Sequence, residues 1–393
     1  MKRLLSALLV SCVILSGCSG KSSTTEVTTT TIDTSDPSVV LEDWAIPFIP
    51  DDDSFSFENF GGGEPPADLT VNMARRMYGD DQVCQTVVDN QCTPFPVILQ
   101  LIAQANRSMK GGLCEGLAVL SLRLSGDVSG IQTFQQVQEV SQLVKDDPAL
   151  MSELAFWYVT QFAPEVQERA SVYRQMEPMD LARILLEDFE ESAIGGSATG
   201  FTIGIYSDEG GHAVTPYRVE QTVSGYRIYI YDSNWPTSER WIDVTDSGWT
   251  YALAATNPSE ASSAWSGGAG SMELTPMTAR KPPFNCPFCP TEGDTKSGTL
   301  LTVASSGSKQ ATLQVQTSTG QRLGYYDGEF LNEIPGATFR YLISGPSTSD
   351  PVLVSLPATV DAFTADVGVL NTSGSDIVEE ESNDRFSLLI LDE

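Results

Sequence analysis

Histidine is the scarcest reactive side chain in this sequence. His212 is the only one in 393 residues, so chemistry that needs an imidazole has one place to happen. Positive charge is also short: 22 Lys and Arg stand against 52 Asp and Glu, a formal net charge of −30, and such a chain repels phosphate backbones. Nucleic acid is therefore not an expected partner, and no basic amphipathic stretch suggests binding to a membrane surface. The apolar run at residues 4–15 is too short to span a bilayer. Cysteine is sparse, with seven in all, and the number turns out to matter.

The chain opens Met1-Lys2-Arg3, runs through that apolar segment and reaches Leu15-Ser16-Gly17-Cys18, the layout of a secretory signal. Leu-Ser-Gly-Cys resembles the lipobox of bacterial lipoproteins. That resemblance implies cleavage after residue 17, lipid on Cys18 and attachment to the bacterial cell envelope through the lipid. Residue 19 is Ser and not Asp, which in a Gram-negative envelope implies the outer membrane. Residues 18–64, rich in Ser, Thr, Asp and Gly, read as a flexible linker whose end docks through Phe55, Phe57 and Phe60.

Loss of Cys12 with the signal and of Cys18 to lipid leaves Cys84, Cys92, Cys114, Cys286 and Cys289, an odd set. In an oxidising compartment the neighbours pair most naturally, Cys84 with Cys92 and Cys286 with Cys289, although four cysteines permit three connectivities. Cys286-Pro287-Phe288-Cys289 also has the spacing of a zinc knuckle or redox pair. Zinc would need two further ligands, and the prolines disfavour a redox motif between strand and helix, so a structural disulfide is the better reading. Cys114 is left over.

The middle of the chain divides in two. Residues 67–107 are helical in pattern and broken by prolines, with a helix over 97–105. Three further helical segments are expected: a stripe of Phe134, Val137, Val140 and Val144, a helix opened by Pro148 that runs through Phe162, and a stripe of Leu181, Ile184, Leu185 and Phe189. From Gly195 the character changes to short strands at 201–206, 212–220, 226–232 and 241–244. Helices followed by strands predict an α+β domain over 65–290, with an antiparallel sheet packed against a buried helix. Beyond the proline-rich 281–290, strands at 299–303, 311–316, 338–343, 352–356 and 386–391 predict an all-β, sandwich-like accessory domain over 296–393. There Glu379-Glu380-Glu381 reads as a solvated loop.

At the centre lies Gly111-Gly112-Leu113-Cys114-Glu115-Gly116-Leu117-Ala118, continuing apolar to Leu122. Leu113, Leu117, Leu120 and Leu124 form a helical stripe. The glycine pair permits close approach, and a helix N-terminus favours thiolate over thiol. His212 starts a strand, and the next strand ends in Tyr231-Asp232-Ser233-Asn234-Trp235-Pro236. If the two form a hairpin about residues 222–225, Asp232 and Asn234 share a face with the imidazole. A thiol that attacks a carbonyl, an imidazole that carries the proton and a polar group that orients the ring are what a thiol hydrolase needs.

This order, with the thiol on a helix and its partners on a sheet, resembles the papain-like cysteine peptidases. It is closest to exported bacterial proteins carrying Gly-Gly-x-Cys-x-Gly-[Met/Leu]-Ala, Gly-His-Ala-Val and Tyr-Asp-x-Asn-x-Pro, over residues 65–290. The resemblance implies a papain-like domain, a peptide or protein substrate, no cofactor or metal, and Cys114, His212 and Asp232 as the catalytic set, with Asn234 left open as the third member. Two positions depart from the pattern. Ser108 stands where an oxyanion-stabilising Gln is usual, leaving Gln104, Asn106 or Ser108 itself as candidates, and Glu115 stands where an aromatic is common, next to the proposed thiolate. A non-catalytic binding module on the same scaffold, recognisable by a buried Cys114 with no groove beside it, and a transglutaminase-like acyl transferase are the alternatives.

Overall fold

The computed structural model describes residues 39–61, 66–196, 199–207, 210–251, 264–286, 289, 298–305, 311–327, 329–343, 351–370, 377–378 and 386–391. The signal, Cys18 and the Glu379-Glu380-Glu381 run lie outside the described residues. The chain begins with β1 (Val40–Ala45) and a short α1 (Pro50–Asp53), then α2 (Val71–Tyr78), α3 (Asp80–Val83) and the hairpin β2 (Cys84–Val88) and β3 (Gln91–Pro94). Helices α4 (Pro96–Ser108), α5 (Cys114–Leu124), α6 (Val128–Ile131), α7 (Pro148–Val159), α8 (Pro164–Arg174) and α9 (Pro178–Ala193) follow. Strands β4 (Phe201–Ser207), β5 (Gly210–Thr222), β6 (Gly225–Tyr231), β7 (Arg240–Thr245), β8 (Gly248–Tyr251), β9 (Trp265–Gly267) and β10 (Met272–Pro276) come next. They form one antiparallel sheet in the order β10-β4-β5-β6-β7-β8-β9, with β1 added along β5. Helices and antiparallel sheets in one chain make the fold α+β.

Proline at the first turn opens α4, α7, α8 and α9, where its missing N–H costs nothing, and the Asp147 side chain caps α7. Helix α9 lays Leu181, Leu185 and Phe189 on Ile203, Val214, Val219, Ile228 and Ile242 of the sheet. Helix α5 lies against β5: Thr215 Oγ1 donates to the Ala118 carbonyl at 3.0 Å and lies 3.3 Å from Ser121 Oγ. Its buried side chains, Leu113, Leu117, Val119, Leu120 and Leu124, join those of α4 and α7 in a larger core. The buried helix and its covering sheet are as the hydrophobic pattern foretells.

Several elements differ from expectation. Residues 39–61 of the expected linker are folded: β1 pairs with β5, Phe48 stacks on Tyr217 and Tyr231, and Phe55 is buried in the core. Polar composition hid this because the anchoring residues are few and widely spaced. The 134–144 stripe is not an α-helix but a run of turns with a single 3₁₀ turn at Val140–Gln142. There the Gln135 side chain bonds both the N–H and the C=O of Val144, and Gln142 accepts from the Gln138 N–H, so glutamine amides take the place of a helical ladder. Hairpin β2–β3 turns through Asp89 and Asn90, both at positive φ, inside a region expected to be helical. The structure joins Cys84 to Cys92 and Cys286 to Cys289, leaving Cys114 outside both disulfides.

The last part of the chain forms two more antiparallel sheets. One runs β15 (Thr338–Tyr341), β16 (Val352–Leu356), β11 (Thr299–Ser305), β19 (Phe386–Leu391); the other runs β14 (Glu329–Asn332), β13 (Arg322–Tyr326), β12 (Ala311–Thr317), β17 (Phe363–Leu370), β18 (Ile377–Val378). Leu301, Val303, Leu313, Val315, Leu323, Val352 and Val354 from both sheets share one cluster, and Cys114, Ala118 and Ala213 belong to it. This β-rich part is therefore packed onto the nucleophile candidate's own helix.

Candidate active site

The Cys114 thiol meets the backbone next to His212 where α5 touches β5. The Ala213 N–H points at Cys114 Sγ, 3.5 Å away. Since that nitrogen is two bonds from the Cα of His212, the sulfur lies within roughly 6 Å of it, inside side-chain reach. Cys114 occupies the first turn of α5, where backbone N–H groups favour a thiolate. Small side chains at Ala118 and Ala213 permit the close crossing.

Face parity between His212 and Asp232 depends on one irregularity. From the turn, Thr222 pairs with Gly225 and Arg218 with Tyr229; continued without interruption, that register would put Asp232 on the face opposite to His212. A bulge between Pro216 and Arg218 inserts Tyr217, after which Thr215 pairs with Tyr231, and the parity is restored. Proline at 216 has no ladder hydrogen to lose, and the inserted Tyr217 is held by Phe48 and by the Ile46 N–H on its carbonyl.

Asp232 is the imidazole's partner. Nε2 of His212 and Oδ1 of Asp232 are 2.6 Å apart. The same oxygen accepts the Asn234 N–H at 2.8 Å, and Oδ2 accepts the Tyr251 hydroxyl at 2.6 Å. Asn234 thus supports Asp232 through its backbone amide. Burial pushes the Asp232 carboxyl up, but the adjoining imidazole, the Tyr251 hydroxyl and the Asn234 N–H outweigh it and hold the carboxyl below the usual carboxylate range. Burial and the Asp232 carboxylate both push the Tyr251 hydroxyl well above the ordinary tyrosine value, keeping it protonated and donating. With Nε2 committed to Asp232, Nδ1 of His212 has no hydrogen-bond partner among the described residues.

Glu115, next to the thiol, is buried and does not face it alone. Its Oε1 pairs with Nη2 of Arg280 and lies 3.6 Å from Nη2 of Arg340, which is 2.8 Å from Glu273 Oε1. The Tyr206 hydroxyl donates to the same Glu273 oxygen at 2.8 Å, and Arg280 Nη1 donates to Thr160 Oγ1 at 2.5 Å. Two carboxylates and two guanidinium groups therefore balance in the interior, and the charge beside Cys114 is neutralised from two directions. Burial pushes Arg280 down more than Glu115 restores it. Arg340 is raised: burial opposes its charge, yet Glu273, Tyr206 and Glu115 outweigh that effect.

None of the three oxyanion candidates is presented to the thiol. Gln104 donates to Thr302 Oγ1 and accepts from Arg107, Asn106 bonds the N–H and C=O of Leu69, and Ser108 donates to the Ala105 carbonyl. Cys114, His212 and Asp232 are each 0 % exposed. Two surface hollows, one lined by Glu165, Arg169 and Phe284 and the other by Glu177, Asp180 and Thr245, lie elsewhere. Among the described residues no group of three His, Cys, Asp or Glu side chains is placed to hold a metal, and no helix is long and apolar enough to cross a membrane.

No family model, curated protein or solved structure matches this chain. Tyr251, Arg280 and Arg340 escaped sequence reasoning because each arrives from a distant segment with no local motif. Asn59 escaped because it lies in a stretch whose composition reads as linker.

Proposed function

We propose that the chain is a papain-like thiol hydrolase of peptide or amide bonds, built on Cys114, His212 and Asp232, with the sandwich-like β-rich part as a fixed partner of the catalytic half. The observation that carries this reading is the imidazole. Its Nε2 is locked to a carboxylate that accepts two further donors, while Nδ1 has no hydrogen-bond partner among the described residues and the Cys114 sulfur sits at the very next amide. In this reading the thiol proton passes to Nδ1, and the thiolate attacks the substrate carbonyl carbon. Collapse of the adduct then expels the amine, which takes the proton from Nδ1 and leaves an acyl-thioester. Water, deprotonated by the same nitrogen, releases the acid and restores the thiol. The charge-balanced cluster keeps Glu115 from opposing the thiolate. Export, lipid on Cys18 and attachment to the cell envelope complete the proposal, resting on residues 1–19 alone.

A second reading, a non-catalytic binding module, is favoured by one fact: the thiol and imidazole are both 0 % exposed. Alkylation of native protein by iodoacetamide separates the two. A hydrolase opening locally gives a Cys114 labelling rate far above the global unfolding rate, and His212→Ala lowers it by about 100-fold or more while the protein stays folded. Labelling that needs denaturant, or that ignores His212, decides for the binding module.

A further inference from the structure

The segment before the first long helix lashes the nucleophile helix at both ends. At the C-terminal end of α5, the Ser125 hydroxyl donates to Asp53 Oδ2 at 3.0 Å. At the N-terminal end, the Leu113 N–H, immediately before Cys114, donates to Asn59 Oδ1 at 2.7 Å. The backbone of Asn59 also reaches the other side of the site: its N–H donates at 2.8 Å to the carbonyl of Ser233, immediately after Asp232. The fit next to it is tight. A Cβ on Gly61 would stand 1.9 Å from the Lys110 carbonyl oxygen and 3.0 Å from the Gly112 nitrogen. The missing Cβ of Gly61 is what lets the strap come this close to the 110–112 backbone. Phe57 and Phe60 anchor it to the core on either side of Asn59.

We infer that Asn59 is a positioning residue of the active site, tying the start of the helix that carries Cys114 to the loop that carries Asp232; the inference rests on the hydrolase reading above. Cys114 and His212 belong to different elements, and Asp232 sets the orientation of the imidazole, so the distance between thiol and Nδ1 is fixed by how the start of α5 and the loop after β6 are held. Asn59 reaches both, the start of α5 through its side-chain oxygen and the loop after Asp232 through its backbone N–H. A misplacement of about 1 Å between reacting groups costs about 100-fold in rate. Asn59 acts through Leu113 and Ser233.

The test is the pH profile of Cys114 alkylation by iodoacetamide in the folded full chain. In Asn59→Leu, which keeps the size and loses the acceptor, the rate falls about 100-fold, toward the His212→Ala value, and the imidazole-dependent part of the profile disappears. Asn59→Asp keeps the acceptor oxygen and stays within about tenfold of the parent rate. Asp53→Ala, which cuts the tie at the far end of the same helix, lowers the thermal midpoint and leaves the profile in place. If Asn59→Leu does not fold, Asn59→Ser, too short to reach Leu113, carries the same expectation. A parent-like profile in Asn59→Leu or Asn59→Ser, with His212→Ala still slow, overturns the role of Asn59 alone. Indifference to His212→Ala overturns the hydrolase reading and this inference with it.

Discussion

Asp232 gathers three donors, from His212, Tyr251 and Asn234, onto one buried carboxylate. Hydrogen bonds to a charged group contribute about 1.5–3 kcal/mol each, against about 1 kcal/mol between neutral groups. Because the folded carboxyl titrates below its unfolded value, the stabilisation is present above about pH 4 and is lost as pH falls through the folded value. Tyr251→Phe should therefore cost about 2 kcal/mol in urea unfolding at pH 7 and clearly less under acid conditions where the carboxyl is protonated. An equal cost at both pH values would show that the hydroxyl does not serve the carboxylate. Asp232→Asn should flatten the acid limb of stability, and an acid limb as steep as the parent's would assign that limb to other carboxylates.

Among the elements, α5 is constrained on every side: β5 below it, α7 beside it, the strap along it. Its approach to α7 is set by Gly116, where a Cβ would stand 2.4 Å from the Leu154 carbonyl oxygen and 3.2 Å from the Tyr158 nitrogen. Neither backbone atom can swing aside as a side chain would. Gly116→Ala must therefore push the helices apart, with an expected cost of about 1–3 kcal/mol in denaturant unfolding and slower Cys114 labelling. Gly268→Ala, whose Cβ meets nothing within 4 Å, is the control and should stay within about 0.5 kcal/mol. Equal stability of the two variants would mean that α5 can relax away from α7.

Across the whole molecule the β-rich C-terminal part is bonded into the half that holds Cys114, His212 and Asp232. Arg340 on β15 reaches Glu115 and Glu273, the Ile343 N–H donates to Gln161 Oε1 at 2.7 Å, and Leu300, Leu342, Leu353 and Leu391 belong to the helical core. Removing one partner of a buried charge set leaves the others uncompensated, at a cost of about 3–5 kcal/mol for Arg340→Met. The double variant Glu115→Gln with Arg340→Met leaves Glu273 opposite Arg280. It should be less destabilised than the sum of the single variants by at least about 1 kcal/mol, as measured in a double-mutant cycle. Additivity of the two changes would remove the case for electrostatic coupling through Glu115.

Periodicity and residue type determined a good deal without any coordinates. They gave the buried α5 with its thiol, the following strands, the pairing of neighbouring cysteines and the lone histidine, because hydrophobic spacing and local Gly and Pro are properties of contiguous residues. Glutamine-rich 134–144 misled because its Val residues have helical spacing while its Gln side chains compete for the backbone. What the tertiary structure alone decided is long-range. The bulge at Tyr217 sets which face Asp232 shares, Tyr251 supports its carboxylate, and Arg280 and Arg340 balance Glu115. Asn59, from a segment that reads as linker, bonds both the start of α5 and the loop after Asp232. Each of these joins residues far apart in sequence through one or two directional bonds, and such bonds leave no periodic trace in the segments that make them.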